Sequence, residues 1–331
     1  MHILGIETSC DETSAAVSNK RAILSNVTVN QLIHNEYGGV VPEIASREHL
    51  SLISKVVDKA IIDSKVSIDK IDAIAVTNGP GLKGALIIGV NFAKGLSLGL
   101  NIPIIPINHM EGHLFSNFID LDEIKYPFLC MLVSGGHTQI WLINSYQDYK
   151  LYSTTIDDAA GEAFDKGARI LGLGYPGGPE IDNIAKNGDP KFFKFPRPEV
   201  KKEALNFSFS GLKTALLYYC QKKDKKYIEK NISHIAASYQ EAIIDSILNR
   251  IKKVINLNRD IKQIYIAGGV AANSRFRKKS LLCNFNEIDI IFPDLAYCTD
   301  NAAMIAMAGY HKIIKGEYSK YNLVPNPNLK L

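Results

Sequence analysis

Apolar residues gather in short runs separated by longer stretches of helical periodicity. Runs over 3–6, 71–76, 104–107, 128–133, 139–143, 263–267 and 288–292 have the length and β-branched content of strands. Stretches over 48–64, 85–98, 158–171, 233–254, 273–282 and 301–314 repeat apolar positions at helical spacing. Strands that alternate with helices in this way predict an α/β fold.

The polar residues between the runs carry an internal echo. Ser9-x-x-x-Thr13 lies between the apolar runs of ILGIETSCDETSAAV, and Ser134-x-x-x-Thr138 lies between those of FLCMLVSGGHTQIWLI. In each, a strand enters a small polar turn and a second strand leaves, so the turn's N–H groups are free to face an anion. A duplicated unit explains the echo; two unrelated hairpins explain it too, since Gly135-Gly136 is an ordinary tight-turn pair.

With 46% hydrophobic and 22% charged residues in 331, disorder and a membrane-embedded fold are excluded. The longest apolar stretch, 85–107, is broken by Asn91, Lys94, Asn101 and Pro103. Five widely spaced cysteines without a Cys-x-x-Cys pair, and an N-terminus that reads at once as a strand, point to a reducing, cytoplasmic setting. The net charge of +4 is mild but unevenly spread. Between Lys186 and Lys230 twelve basic residues face five acidic ones, including Lys222, Lys223, Lys225 and Lys226, while the rest of the chain is net negative. Phe192, Phe193, Phe195, Phe207, Phe209, Tyr218, Tyr219 and Tyr227 interleave with them, a composition suited to phosphates and unstacked bases or to a Lys-rich solvated insert.

Several residues have the spacing of chemistry. His109 and His113, at i and i+4, place two imidazoles on one helix face, as metal ligands require. Glu111 falls on the opposite face, where it cannot act as a zinc peptidase's base; behind the N-cap Asn108 it occupies the N3 position of a capping box. Asp300, before the helical pattern NAAMIAMAGY, reads as an N-cap or a further oxygen ligand. Gly172-x-Gly174-x-x-Gly177 follows a helix and runs into prolines, so it is rejected as a dinucleotide loop; no P-loop motif occurs. Gly268-Gly269 between a strand and a helix suits either close approach of a nucleotide or tight packing. Asp158, Glu162 and Asp165 share a helix face, as a solvated stripe or as a stripe facing ligand hydroxyls.

Together GIETSCDETSAAV, EIASREH, NGPGLKGAL, NHMEGHL, LVSGGHTQ, DDAAGEAFDKGARILGLGYPGGPEID, FSFSGLKTA, AGGVAANSRFR and CTDNAAMIA resemble the universal tRNA N(6)-adenosine threonylcarbamoyltransferase family, formerly labelled glycoprotein endopeptidases. The matching motifs run from about residue 3 to about 310; Gly167 and Arg169 stand where Ala or Thr and Lys are more usual. The resemblance implies an α/β, two-lobed actin-like ATPase fold of the ASKHA group (actin, sugar kinases, heat-shock chaperone ATPases) with duplicated ribonuclease-H-like cores. It places one lobe at 1–126 plus about 301–331, and the other at 127–300 with a basic insert at about 186–230. It also implies an Fe(2+) or Zn(2+) ion on His109, His113 and Asp300. Threonylcarbamoyl-AMP would be bound by Leu132, Val133, Ser134, Gly135, Gly136, Asp165, Gly178, Asp182 and Asn273.

The implied reaction moves threonylcarbamoyl to adenosine 37 of tRNAs reading ANN codons and releases AMP. The general base stays open between Asp11, Glu12 and the substrate itself. Implied partners are the tRNA anticodon arm, seated by the basic insert, a paralogous actin-like subunit (TsaB type) and a small P-loop ATPase (TsaE type). Rival readings are a metal-dependent glycopeptidase, a small-molecule kinase of the same superfamily and a non-catalytic scaffold.

Overall fold

A computed structural model describes every residue except 122, 199, 201–204, 259, 284, 286–287 and 320. The chain divides into two units, Met1–Ile124 with Thr299–Leu331, and Lys125–Cys298. Among the described residues no helix is long and apolar enough to cross a membrane. All five cysteines are free.

In the first unit β1 (His2–Glu7), β2 (Glu12–Asn19) and β3 (Ala22–Asn30) form an antiparallel meander. Helix α1 (Pro42–Ser64) and helix α2 (Lys83–Leu100) enclose β4 (Ala73–Gly79) in sequence, and β5 (Ile104–Asn108) runs straight into α3 (His109–Phe115). The sheet order is β3-β2-β1-β4-β5, with β4 parallel to β1 and β5 parallel to β4. Alternation along β1 and β4 decides which side chains face where. Leu4, Ile6, Ile74 and Val76 join the core under α1 and α2. The opposite parity, Gly5 and Ala75, packs on the last helix of the chain: a Cβ on Gly5 would lie 2.4 Å from the Ala302 carbonyl oxygen. By the same parity Glu7 and Thr77 project to that second face.

The second unit repeats the plan. β6 (Phe128–Val133), β7 (Thr138–Ser145) and β8 (Asp148–Thr154) are an antiparallel meander. Four helices follow: α4 (Ala160–Leu171), α5 (Gly177–Ala185), α6 (Ser210–Gln221) and α7 (Lys225–Leu257). Then come β9 (Gln263–Ala267), α8 (Ser274–Leu282) and β10 (Asp289–Ile291), and after the return to the first unit α9 (Ala302–Ile313). The order β10-β9-β6-β7-β8 is the first sheet's order read from the other edge, with β9 parallel to β6 and β10 to β9. Both Ser-x-x-x-Thr turns therefore join the first two strands of equivalent sheets, as duplication predicts.

Several expectations need correction. β3 and β8 lack an apolar run because their residues alternate with exposed ones. α1 begins at Pro42, where proline's missing N–H is harmless. A helix does open at Gly177, so the Gly-x-Gly-x-x-Gly loop is not a dinucleotide site because α4, and not a strand, precedes it. Phe195, Phe207 and Phe209 of the basic segment are core residues and unavailable to nucleobases. Tyr218 is exposed, and Lys222, Lys223, Lys225 and Lys226 stand in solvent where α6 turns into α7. Glu199, Lys201, Lys202 and Glu203 lie outside the described residues.

Candidate metal centre and ligand-binding residues

The candidate metal centre is assembled from the junction of β5 with α3 and from the residue before the cap of α9. Asn108 ends β5 and caps α3, its Oδ1 accepting from the Met110 N–H at 2.9 Å. The next residue, His109, is then held on the first turn, with His113 one turn on. Their rings meet edge to face at 4.7 Å. Asn301, and not Asp300, is the N-cap of α9. This releases Asp300, whose Oδ1 lies 3.0 Å from His113 Nε2 and 3.5 Å from His109 Nε2.

These three residues offer ligand atoms within 4.8 Å of one another. Two ligands about 2.0–2.1 Å from a tetrahedral ion stand about 3.3 Å apart, so the spacing fits Zn²⁺ or a similar divalent ion. The His113 ring is 1% exposed, and among the described residues neither of its nitrogens makes an aligned hydrogen bond, although Nε2 has Asp300 Oδ1 at 3.0 Å. A buried imidazole without aligned hydrogen bonds is costly, and coordination would remove that cost at Nε2. Three protein ligands leave a position for substrate, the arrangement of a catalytic site.

The electrostatics favour a cation as well. Burial lowers the affinity of His109 for its proton, but Asp300 and Glu7 outweigh it and raise the ring to about 9. Glu12 is raised well above the usual carboxylate range by burial, then by Asp300 and Asp11. Burial, with Asp11 and Asp300, raises the Cys10 thiol as well, which makes it a poor nucleophile. Glu111 is buried and paired with Lys312 at 2.9 Å, so it is committed to holding α3 against α9 and does not serve as a peptidase base.

In the second unit the implied adenylate-binding residues fall in two groups. Leu132 and Val133 are buried at the end of β6, with Leu132 paired to both β7 and β9. Ser134, Gly135 and Gly136 form the β6–β7 turn, with both glycines exposed. The N-terminus of α4 closes on this turn: the Gly161 N–H donates to the Ser134 carbonyl at 3.1 Å and the Ala160 N–H to Thr138 Oγ1 at 2.8 Å. From the other side Gly268, at φ +92°, brings the β9 turn so near that a Cβ would lie 2.5 Å from the Val133 carbonyl oxygen.

The second group surrounds α5. Asp165 Oδ1 accepts from the Gly177 N–H at 2.7 Å, and burial raises its pKa despite the Gly177 and Gly178 amides. The other two members of the expected acidic stripe, Asp158 and Glu162, clamp Lys166 at 2.6 and 2.9 Å. Asp182 accepts from the Ser274 N–H and hydroxyl at 3.0 and 2.9 Å, and Asn273 caps α8 while donating to Gln240 at 2.7 Å. Beside them a pocket of about 300 Å³ is lined by Asp182, Gln240 and Ser274 and by three cations, Lys186, Arg275 and Lys278. Arg275 is fixed by two bonds to Glu241 at 2.8 and 2.9 Å.

A family model described as "TsaD: tRNA N6-adenosine threonylcarbamoyltransferase" matches residues 22–307. The chain belongs to this family. It is 53% identical over the full length of both chains to the tRNA N6-adenosine threonylcarbamoyltransferase of Thermosipho africanus. Identity to the protein of the same name from Caldicellulosiruptor saccharolyticus is 49%, over all of this chain and 98% of that one. Members of the family are transferases, and the peptidase and kinase readings are not favoured. Among solved structures the fold is similar to T. kodakarensis HypF, with a TM-score of 0.63 at 13% identity over 97% of this chain and 49% of that one. It is also similar to component A of Acidaminococcus fermentans (R)-2-hydroxyglutaryl-CoA dehydratase, with a TM-score of 0.56 at 12% identity over 95% and 98%. The fold is the actin-like ASKHA type.

One residue beside the candidate site was not expected from the sequence: Glu7, whose Oε2 lies 3.1 Å from His109 Nδ1. Its signal was a lone carboxylate closing an otherwise apolar strand, HILGIE.

Proposed function

We propose that this chain transfers the threonylcarbamoyl group of threonylcarbamoyl-AMP to the N6 amine of adenosine 37 in tRNAs that read ANN codons. The convergence of His109, His113 and Asp300 in a chain of this family carries the reading. The amine nitrogen forms a bond to the carbamoyl carbon, the bond from that carbon to the phosphate oxygen breaks, and AMP departs. His109, His113 and Asp300 would hold a divalent ion, Fe²⁺ or Zn²⁺, which would supply positive charge against developing negative charge on the donor.

The chain's own groups do the rest. The Ser134 N–H is spent on the His137 carbonyl at 2.8 Å, so the Gly135 and Gly136 N–H groups of the turn face the donor's anionic part, and Lys186, Arg275 and Lys278 make a pocket hospitable to an adenylate. Asp165, Gly178, Asp182 and Asn273 fix the donor's nucleoside and acyl portions. The amine proton passes to Asp11, Glu12 or the substrate itself. Lysines 222, 223, 225 and 226 hold the anticodon arm by its phosphates. The reaction takes place in the cytoplasm, together with a paralogous actin-like subunit and a small P-loop ATPase.

The test is to incubate the metal-loaded protein, with and without those candidate partners, with unmodified tRNA and threonylcarbamoyl-AMP, then digest the tRNA for nucleoside mass spectrometry. Threonylcarbamoyladenosine at position 37 is the expected product. Its absence under every partner combination, or cleavage of a glycopeptide instead, overturns the reading.

A further inference from the structure

The ligating nitrogen of an imidazole is chosen by what its other nitrogen does. His109 Nδ1 lies 3.1 Å from Glu7 Oε2, on the side of the ring away from Asp300. Glu7 is fully buried at the end of β1, so it cannot touch a substrate. Both its oxygens are engaged: Oε1 accepts from the Ser9 N–H at 2.5 Å, and Oε2 accepts from the Thr77 hydroxyl at 2.5 Å as well as facing His109. Thr77 is on β4, the parallel neighbour of β1, and strand alternation brings both side chains to the α9 face. The carboxylate is thereby fixed by two strands and one turn.

We infer that Glu7 is the positioning residue of the metal centre, holding the proton on His109 Nδ1 so that Nε2 presents its lone pair to the ion. His113 has no equivalent, since its Nδ1 is without a hydrogen-bond partner among the described residues. The two histidine ligands are unequal: packing and the Asp300 contact at Nε2 orient His113, whereas a buried carboxylate at Nδ1 sets both the tautomer and the ring plane of His109. Ser9 Oγ, also 3.1 Å from Nδ1, can donate or accept and by itself specifies no tautomer.

This inference rests on the metal reading of the triad, and the test separates the two. In Glu7→Gln one oxygen becomes an NH₂ group. Facing Nδ1, that amide makes the nitrogen an acceptor and moves the ring proton to Nε2; turned the other way, it opposes the Ser9 N–H. Zn²⁺ affinity, measured by competition with a chromogenic chelator, is expected to fall about 10–100-fold. The visible spectrum of the Co²⁺-loaded protein should change with it. Glu7→Asp, which keeps the charge but withdraws it by one methylene, is expected to weaken binding less than Glu7→Gln, and serves if the latter does not fold. His113→Ala is the control for the triad. Wild-type affinity and spectrum in both Glu7 variants, with binding lost in His113→Ala, overturn the role of Glu7 and leave the metal site standing. Failure of the wild-type protein to bind either ion overturns both.

Discussion

His109 sits between two carboxylates, and at neutral pH without metal it keeps a proton on each nitrogen because Asp300 and Glu7 overcome the cost of burying the charge. Metal must displace the Nε2 proton. Since the ring's pKa is raised to about 9, proton competition is strongest at low pH and ends above that value. Apparent Zn²⁺ affinity should therefore climb about tenfold per pH unit up to about pH 9. Chelator competition across that range, with calorimetry in buffers of different ionisation enthalpy to count the released proton, checks this; a flat profile contradicts it. At this scale the sequence was informative where chemistry depends on local spacing. His109 and His113 were visible at i, i+4, and the unsuitability of Glu111 followed from helical angle. Asp300 and Glu7 reach the centre from strands and helices far apart in sequence, and spacing carries no such information. Asp300 was open between an N-cap and an oxygen ligand, and Asn301 takes the cap; Glu111, expected at the N3 position behind Asn108, pairs with Lys312.

Among the elements, the N-terminus of α4 packs closely against the β6–β7 turn. A Cβ on Gly161 would meet the Ser134 carbonyl oxygen at 2.6 Å and the Gly135 backbone at 2.7 Å, and neither is a side chain that can swing away. Gly161→Ala is expected to destabilise the protein by about 1–3 kcal/mol and to weaken binding of an uncleavable threonylcarbamoyl-adenylate analogue. Urea unfolding and equilibrium titration test it, and wild-type values in both show that the turn takes no part. The junction of α6 and α7 carries a different expectation. Lys222, Lys223, Lys225 and Lys226 are exposed there, with Lys223 lying over the Tyr227 ring at 4.8 Å. Replacing all four by Ala should weaken tRNA binding and flatten its dependence on salt; an unchanged slope places the RNA elsewhere. Buried strands such as β6 and β9 were legible to the residue, because both faces are covered and the apolar run is continuous. β3 and β8 show only alternation, and α6 was hidden by its tyrosines and by the lysines that follow it.

For the whole molecule, the strongest regularity is the repeated strand order in the two sheets. The Ser-x-x-x-Thr echo was its trace in the sequence, visible because both hairpin turns keep small polar residues where strand gives way to strand. The strand order itself depends on long-range pairing and had to come from the structure. Family membership adds the substrate class, and the first unit adds a triad suited to a divalent ion. The claim joining them is that this triad serves the transfer reaction. The decisive measurement is the amount of threonylcarbamoyladenosine formed in tRNA by Asp300→Ala, at saturating threonylcarbamoyl-AMP and alongside wild type. The account predicts product reduced at least about 100-fold, as for loss of a major electrostatic contribution, while the variant's unfolding transition stays close to wild type. Product at the wild-type level from a variant that no longer binds metal would contradict it.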